Sequence, residues 1–471
     1  MKKTLLAVFF GLFLSPTNAQ YLISDTLLQS FTAQDLTAQG LPNIEYGVDV
    51  YKLTYNTITT DSNATIASGA VVIPTGEECL WPILSYQHGT ILHRDEAPSA
   101  LGGEIIIGQI ASGSFGFITS MPDYLGFGSS PQTHPYVHSN SEASASVDML
   151  RAAKEFCSSI GVFDNNQLFL AGYSQGGHAT MALHKAIEEN HSMDFQVTAS
   201  APAAGPYDVS GEQANLFLQA TPYPAPFYLP YIILSYMDIY PPLQQYQLNE
   251  IFVSPYDTLL PPLFDGYHYG WEIDAIMPSI PIEILDTTFY NDFLSDSSHP
   301  FWQALEANNN YDWQPEAPVR MYYCGGDQSV APTNSTVAEA QMLSNGATDV
   351  QAIEVDPNLD HNECAYGALF AAVEWAYNMV DSCTTVSVIK IQETPLKVYP
   401  NPAVSKVFIE QEAPQPINVT IFNTLGEEVL TKKTNKKKTE INLFSLKRGT
   451  YFISTQNNGQ ARVYEKIILL K

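Results

Sequence analysis

Positive charge is scarce in this 471-residue chain: 21 Lys and Arg face 49 Asp and Glu, a formal charge of -28. The field of such a chain repels nucleic acid, anionic membranes and polyanionic substrates, so none of these is expected as a partner. Charged residues of either sign make up only 15% while hydrophobic ones reach 45%, which excludes a disordered chain and leaves ample material for a core. No segment offers the ~20 consecutive apolar residues of a membrane-spanning helix. No Cys-x-x-Cys pair supplies a metal-ligand spacing, and no repeat of about 20–50 residues recurs. No metal or cofactor is expected.

The length is about three times a typical domain of roughly 150 residues, which calls for two domains or one large decorated one. The charge is unevenly spread: residues 384–471 carry a net +6 and residues 1–383 a net -34. Such asymmetry points to two units with separate tasks.

Lys2 and Lys3, the apolar run Leu5 to Leu14 and the small-residue ending Thr17-Asn18-Ala19 read as a secretory signal at 1–19, cleaved after Ala19. Export permits disulfides. The cysteines are Cys79, Cys157, Cys324, Cys364 and Cys383, an odd number, so at least one stays free or pairs outside the chain. Cys364 and Cys383 flank a helical pattern about 16 residues long. Its ends would lie ~24 Å apart, far beyond the ~7 Å Cα limit, so these two should not pair with each other. The remaining connectivity is open.

Alternating stretches at 47–59 and 64–74 predict two antiparallel strands. Apolar runs separated by helical patterns follow: strands at 82–87, 116–121 and 167–171, with a helix over 141–157. Ala179, Ala182, Leu183, Ala186 and Ile187 then mark one helix face. Strands alternating with helices imply an α/β fold, a largely parallel sheet with helices on both faces. The alternation stops near Pro202. From Ala186 to Val319 there is no Lys or Arg, and Tyr, Phe, Leu and Pro crowd the stretch. We read about 203–317 as an inserted lid whose prolines preclude long helices, with short ones over 213–220 and 282–294. A packed subdomain with no role in binding is the alternative. The α/β pattern resumes with a strand at 319–324, a helix at 336–344, a strand at 350–355 and a helix at 365–380. The larger, α/β unit is thus expected over 20–383 and a linker over 384–395. Beyond it, short alternating strands over 396–471 predict a small antiparallel β-sandwich, with Lys432, Lys433, Lys436, Lys437 and Lys438 in a solvated hairpin tip.

Gly172-Tyr173-Ser174-Gln175-Gly176-Gly177 sits between a strand and an amphipathic helix, the setting a G-x-S-x-G elbow requires. A serine hydroxyl is a weak nucleophile and needs a base that a third group orients. On such a sheet the order along the chain is Ser, acid, His. Asp327, in Cys324-Gly325-Gly326-Asp327, and His361, in Asp360-His361-Asn362, both follow strands at their carboxyl ends. Asp356 and Asp360 are rivals for the acid, but they share a loop with the base. Among the 10 histidines, His178 and His184 lie on the helix after the serine, His134 and His138 in a surface-like loop, and His268 and His299 in the insertion. Only His361 occupies the loop required.

The oxyanion needs two backbone donors. Gln175 supplies one; Gly89 or Thr90, in His88-Gly89-Thr90 after the 82–87 strand, supplies the other. Pro122-Asp123-Tyr124-Leu125-Gly126-Phe127-Gly128 occupies the next strand-end loop, either as pocket floor or as a structural turn. Tyr173, His88, Asp123 and Tyr124 are the expected pocket residues.

Residues from about 48 to 380 resemble an α/β-hydrolase of the secretory lipase and esterase type, through Tyr86-Gln87-His88-Gly89-Thr90, Pro122-Asp123-Tyr124-Leu125-Gly126, the Ser174 elbow, Asp327 and His361. The resemblance implies hydrolysis of acyl esters by a Ser174, His361, Asp327 triad. Such two-step acyl transfer requires no cofactor or metal, and a lid rich in Tyr, Phe, Leu and Pro without basic residues suits a small neutral acyl ester. The last ~75 residues, through Val398-Tyr399-Pro400-Asn401-Pro402, Leu425-Gly426, Leu446-Lys447-Arg448-Gly449-Thr450-Tyr451-Phe452 and Lys466-Ile467-Ile468, resemble the type IX secretion system sorting domain. That implies outer-membrane secretion machinery as a partner and a secreted or cell-surface location. Two other functions compete: an aminopeptidase-like serine peptidase on the same scaffold, and an inactive surface-binding protein.

Overall fold

The computed structural model describes residues 20–381, 383, 397–411, 414, 416–423, 427–457 and 463–470. The expected signal peptide, the linker over 384–395 and Leu425-Gly426 lie outside the described residues. The chain divides into two units, Met1–Thr385 and Val386–Lys471.

The first unit is built on nine strands: β1 (Leu22–Phe31), β2 (Gly47–Ile58), β3 (Ala64–Thr75), β4 (Leu80–Gln87), β5 (Ile118–Pro122), β6 (Phe163–Tyr173), β7 (Val197–Ala203), β8 (Val319–Cys324) and β9 (Val350–Asp356). They form one sheet in the order β1-β2-β3-β5-β4-β6-β7-β8-β9. β5, β4, β6, β7, β8 and β9 run parallel, and β3, β2 and β1 extend the sheet antiparallel. The register sets Gln87 opposite Gly172, Tyr173 opposite Ala203, and Cys324 opposite Asp356. The carboxyl ends of β4, β6, β8 and β9 therefore share one edge of the sheet, where such folds gather functional loops. Helices Ile105–Phe115, Ser139–Ser159, Gln175–Asn190, Thr333–Ser344 and His361–Tyr377 accompany the sheet, and apolar clusters around Val72, Leu84 and Phe169 and around Val71, Ile83 and Leu170 form its core.

β1, β7 and the helix Ile105–Phe115 carry no clear sequence signal. β7 reads VTASAPA, a run of small residues with a proline; only parallel neighbours on both sides make it a strand.

The insertion departs from expectation at three places, the first being that the helix expected over 213–220 is a wide turn at Val209–Gln213 followed by the short helix Ala214–Phe217. The helix expected over 282–294 is two pieces, Pro281–Ile284 and Thr287–Ser295, because Asp286 accepts from the Thr288 and Phe289 amides and caps the second. Prolines also fail to exclude a longer helix: Tyr228–Ile239 runs for 12 residues, with Pro230 in its first turn. A first-turn N–H has no intrahelical acceptor, so proline costs nothing there. The insertion has its own apolar core around Tyr236, Phe252, Phe293 and Phe301.

In the second unit, β10 (Lys397–Tyr399), β11 (Lys406–Glu410), β12 (Ile417–Phe422), β13 (Glu428–Thr434), β14 (Lys438–Asn442), β15 (Gly449–Asn457) and β16 (Val463–Leu469) make two antiparallel sheets, β10-β11-β14 and β13-β12-β15-β16. Alternate residues such as Val407, Ile409, Val419, Ile421, Ile441 and Ile453 fill the core. The lysines expected at a hairpin tip are distributed otherwise. Lys432 and Lys433 belong to β13 and Lys438 to β14, and these strands lie in different sheets, so Lys436 and Lys437 mark a crossing between sheets.

Two disulfides form, Cys79–Cys383 and Cys324–Cys364, with Cα atoms 5.6 and 6.0 Å apart. Cys157 is free and buried, and burial pushes its thiol up to about 12.

Candidate active site

β6 ends at Tyr173 and the helix Gln175–Asn190 begins two residues later, leaving Ser174 alone to make the turn. Its backbone adopts φ 61°, ψ -122°, a region that costs a non-glycine residue about 1–3 kcal/mol. Its amide donates to the Ala203 carbonyl at 3.0 Å. The glycines explain how strand and helix approach so closely. A Cβ on Gly176 would come within 2.0 Å of the Gln87 carbonyl oxygen, and one on Gly177 within 2.3 Å of that of Ala203.

His361 opens the helix His361–Tyr377, and Asp360 is its N-cap, accepting from the Asn362 and Glu363 amides. Asp356 accepts from the Asn358 and Leu359 amides in the preceding turn. Both rivals for the acid are thus engaged in shaping the loop. Asp327 reaches the imidazole instead: its Oδ2 lies 2.6 Å from His361 Nδ1, while its Oδ1 accepts from the Ser329 and Val330 amides, each at 2.8 Å. His361 Nε2 is 2.8 Å from Ser174 Oγ. With a carboxylate facing Nδ1, that nitrogen carries the proton and Nε2 accepts from the serine hydroxyl. All three side chains are buried. Such a chain of bonds can draw the proton from a serine hydroxyl and hold the imidazolium that results.

The loop after β4 lies against the serine: a Cβ on Gly89 would be 3.9 Å from Ser174 Cβ. The Gly89 amide is already taken, donating to both carboxylate oxygens of Glu104 at 3.2 Å, and Tyr86 Oη donates to the same carboxylate at 2.6 Å. Among the described residues the Thr90 amide makes no hydrogen bond. The Gln175 amide, first in its helix, has no intrahelical acceptor.

The four residues expected around the pocket stand one layer behind it. Tyr173 Oη donates to the His361 carbonyl at 2.6 Å, its phenol kept neutral by burial. His88 bonds the Gly89 and Asp123 carbonyls. Tyr124 Oη donates to the His88 carbonyl at 3.1 Å. Asp123 accepts from Ser68 Oγ and the Ser99 amide at 2.6 and 2.8 Å. These side chains hold the loops; the cavity beside Ser174 is lined instead by residues such as Tyr136, Val137, Gln175, Val209, Tyr228 and Val330, none of its wall side chains being charged.

The loop carrying His134 and His138 is not a surface loop: both rings are buried, and desolvation lowers each pKa to about 4. His134 Nε2 accepts from Gln175 Nε2 at 2.8 Å, and the same Gln175 amide donates to Glu142 Oε1 at 3.0 Å. Glu142 Oε2 meets His178 Nδ1 at 2.6 Å. Glu104 and Glu142 escaped the sequence reading. Neither belongs to a motif, and their only trace is a carboxylate beside uncharged, small or apolar neighbours. Among the described residues no three His, Cys, Asp or Glu side chains gather as a metal site, and no helix is long and apolar enough to cross a membrane.

The secretory lipase family model matches residues 105–202, and the secretion system C-terminal sorting domain model matches residues 397–470. A Legionella pneumophila protein classed as a hydrolase has a TM-score of 0.72 at 30% identity, covering 77% of this chain and 100% of its own. The rice cell wall degrading esterase LipA from Xanthomonas oryzae has a TM-score of 0.69 at 28% identity, over 78% of this chain and 98% of its own. Candida antarctica lipase A, at 15% identity and a TM-score of 0.57 over 78% of this chain and 84% of its own, shares the fold. No curated protein matches the chain. The chain belongs to the secretory lipase and esterase family of α/β-hydrolases and ends in a type IX secretion sorting domain.

Proposed function

We propose that the protein is an exported serine hydrolase that cleaves neutral carboxylic esters through an acyl-enzyme. One observation carries the reading: a single buried imidazole bonds Ser174 Oγ at 2.8 Å and Asp327 at 2.6 Å. Ser174 attacks the ester carbonyl while His361 Nε2 takes its proton, and Asp327 holds the imidazolium. The developing oxyanion accepts from the Gln175 and Thr90 amides, and the helix Gln175–Asn190 directs its positive end toward the same point. The alcohol leaves with the proton from His361, and water then repeats the sequence on the acyl-enzyme. Export follows from the signal expected at 1–19 together with the sorting domain, the hydrolytic unit being 20–383.

The uncharged cavity wall favours a neutral acyl group over the α-ammonium of an aminoacyl substrate, which would find no carboxylate there. The test compares p-nitrophenyl butyrate with aminoacyl-nitroanilides on wild type and Ser174→Ala, with fluorophosphonate labelling of Ser174. Ester turnover that drops by several orders of magnitude in the Ala variant is expected. An Ala variant with wild-type turnover, or faster cleavage of the nitroanilides, would refute the proposal.

A further inference from the structure

The oxyanion donor at Gln175 is the N–H of the Ser174–Gln175 peptide, so whatever orients that peptide orients the donor. A trans peptide is planar, and its N–H points opposite to its C=O. The Ser174 carbonyl accepts from the His178 amide at 3.1 Å, in the first turn of the helix Gln175–Asn190. Two residues therefore govern the donor, Gln175 itself and His178.

One carboxylate holds both. Glu142, on the helix Ser139–Ser159, accepts from Gln175 Nε2 at 3.0 Å through Oε1 and meets His178 Nδ1 at 2.6 Å through Oε2. Both Glu142 and His178 are 0% exposed, a position where an uncompensated charge is strongly destabilising. The imidazole compensates it. Its Nε2 faces the Asn308 carbonyl at 2.9 Å and so carries a proton, and a second proton lies in the short contact between Nδ1 and Glu142. The pair thus has no net charge to set against an oxyanion. Asn308 Oδ1 accepts from the Ser139 amide at 2.9 Å, which ties the insertion to the start of the helix that carries Glu142. No proton or bond of the acyl transfer passes through this pair.

We infer that Glu142 is a positioning residue for the oxyanion donor. It grips the Gln175 side chain and, through His178, the Ser174 carbonyl, so the Gln175 amide stays aimed where charge develops. The inference rests on the ester-hydrolase reading and adds to it a residue that acts through others, since Glu142 does not line the cavity beside Ser174.

The test measures kcat and KM for p-nitrophenyl butyrate, together with Ki for a trifluoromethyl ketone, whose tetrahedral adduct carries the oxyanion. Glu142→Ala should lower kcat about ten- to hundredfold with KM within about twofold, and weaken the ketone by the same factor as kcat/KM. Glu142→Gln keeps an acceptor for Gln175 and offers His178 Nδ1 a donor, so it should recover most of the rate. Gln175→Ala retains the backbone donor and deletes the tether, and should lower kcat about tenfold. Glu142→Ala/Gln175→Ala should lose less than the product of the two single losses, because both act on one peptide. Circular dichroism checks the fold, and Gln175→Ala alone carries the test if Glu142→Ala does not fold. Wild-type kcat in the folded variant, a loss confined to KM, or losses that multiply would overturn the inference. Wild-type protein that neither turns over the ester nor reacts with fluorophosphonate overturns the esterase reading itself.

Discussion

The Cys324–Cys364 disulfide ties together the two segments that carry Asp327 and His361. Cys324 ends β8 three residues before Asp327, and Cys364 lies in the first turn of the helix that His361 begins. Both sulfurs are buried. The bridge thus restrains the bond between acid and base directly, while Cys79–Cys383 joins the start of β4 to the far end of the unit.

The two bridges should therefore separate in their effects. Closing a loop with a sequence separation of 40 removes about 4 kcal/mol of chain entropy from the unfolded state. The double variant Cys324→Ser/Cys364→Ser should lower Tm and also lower kcat at temperatures where it is fully folded. Cys79→Ser/Cys383→Ser should lower Tm with kcat unchanged. Thermal melts paired with ester kinetics check this. Equal kcat losses in both variants would show that the first bridge has no special role in alignment.

Glu104 holds the loop that presents the Thr90 amide, and it does so through the Gly89 amide and Tyr86 Oη. Glu104→Ala frees that loop, so kcat for p-nitrophenyl butyrate should fall ten- to hundredfold with KM within about twofold. That is less than the ~10²–10³ of losing an oxyanion donor outright. Glu104→Gln keeps an acceptor and should recover most of the rate. A loss appearing only in KM would place Glu104 in substrate binding instead.

Gly176→Ala tests the elbow. The added methyl meets the Gln87 carbonyl at 2.0 Å, and backbone must shift on one side or the other. Displacing β4 moves Thr90, and displacing the helix moves the Gln175 amide, so turnover should fall by at least tenfold even where circular dichroism reports a folded protein. Wild-type turnover would mean that the elbow relaxes without cost to the site.

Much of this was legible because local chemistry dictates it. The glycines around Ser174 are required wherever a strained strand-to-helix turn packs against neighbouring backbone, and chain order then selects Asp327 and His361 from many rivals. What escaped depends on partners distant in sequence. β7 is a strand only because β6 and β8 flank it. Glu104 and Glu142 acquire meaning only when folding brings Gly89 and Gln175 to them. His134 looked exposed because its loop is polar in sequence; the insertion, through Tyr231, helps to bury it. The expected pocket residues were misplaced by one layer for the same reason, since the insertion, not the strand-end loops, supplies most of the wall.

Burial of His134 and His138 makes stability depend on pH in a definite direction. In the unfolded chain each imidazole takes up its proton near 6.5, whereas in the folded protein desolvation delays this to about 4. Between those values the unfolded state binds more protons, so stability falls as pH drops through the window. The loss approaches about 3 kcal/mol for a fully buried ring. Around His134, Glu142 favours the charged ring and His88 opposes it, both weaker than burial. Asp274 acts in the other sense: burial raises it from 3.8 to about 6, so the folded state takes up its proton first and acid stabilises it. Partly exposed, it offsets only part of the histidine effect. Tm should therefore decline from pH 6.5 to 4, and His134→Gln, which keeps a polar partner for Gln175 without a titrating ring, should flatten the slope. An unchanged slope in that variant would assign the acid sensitivity to other groups.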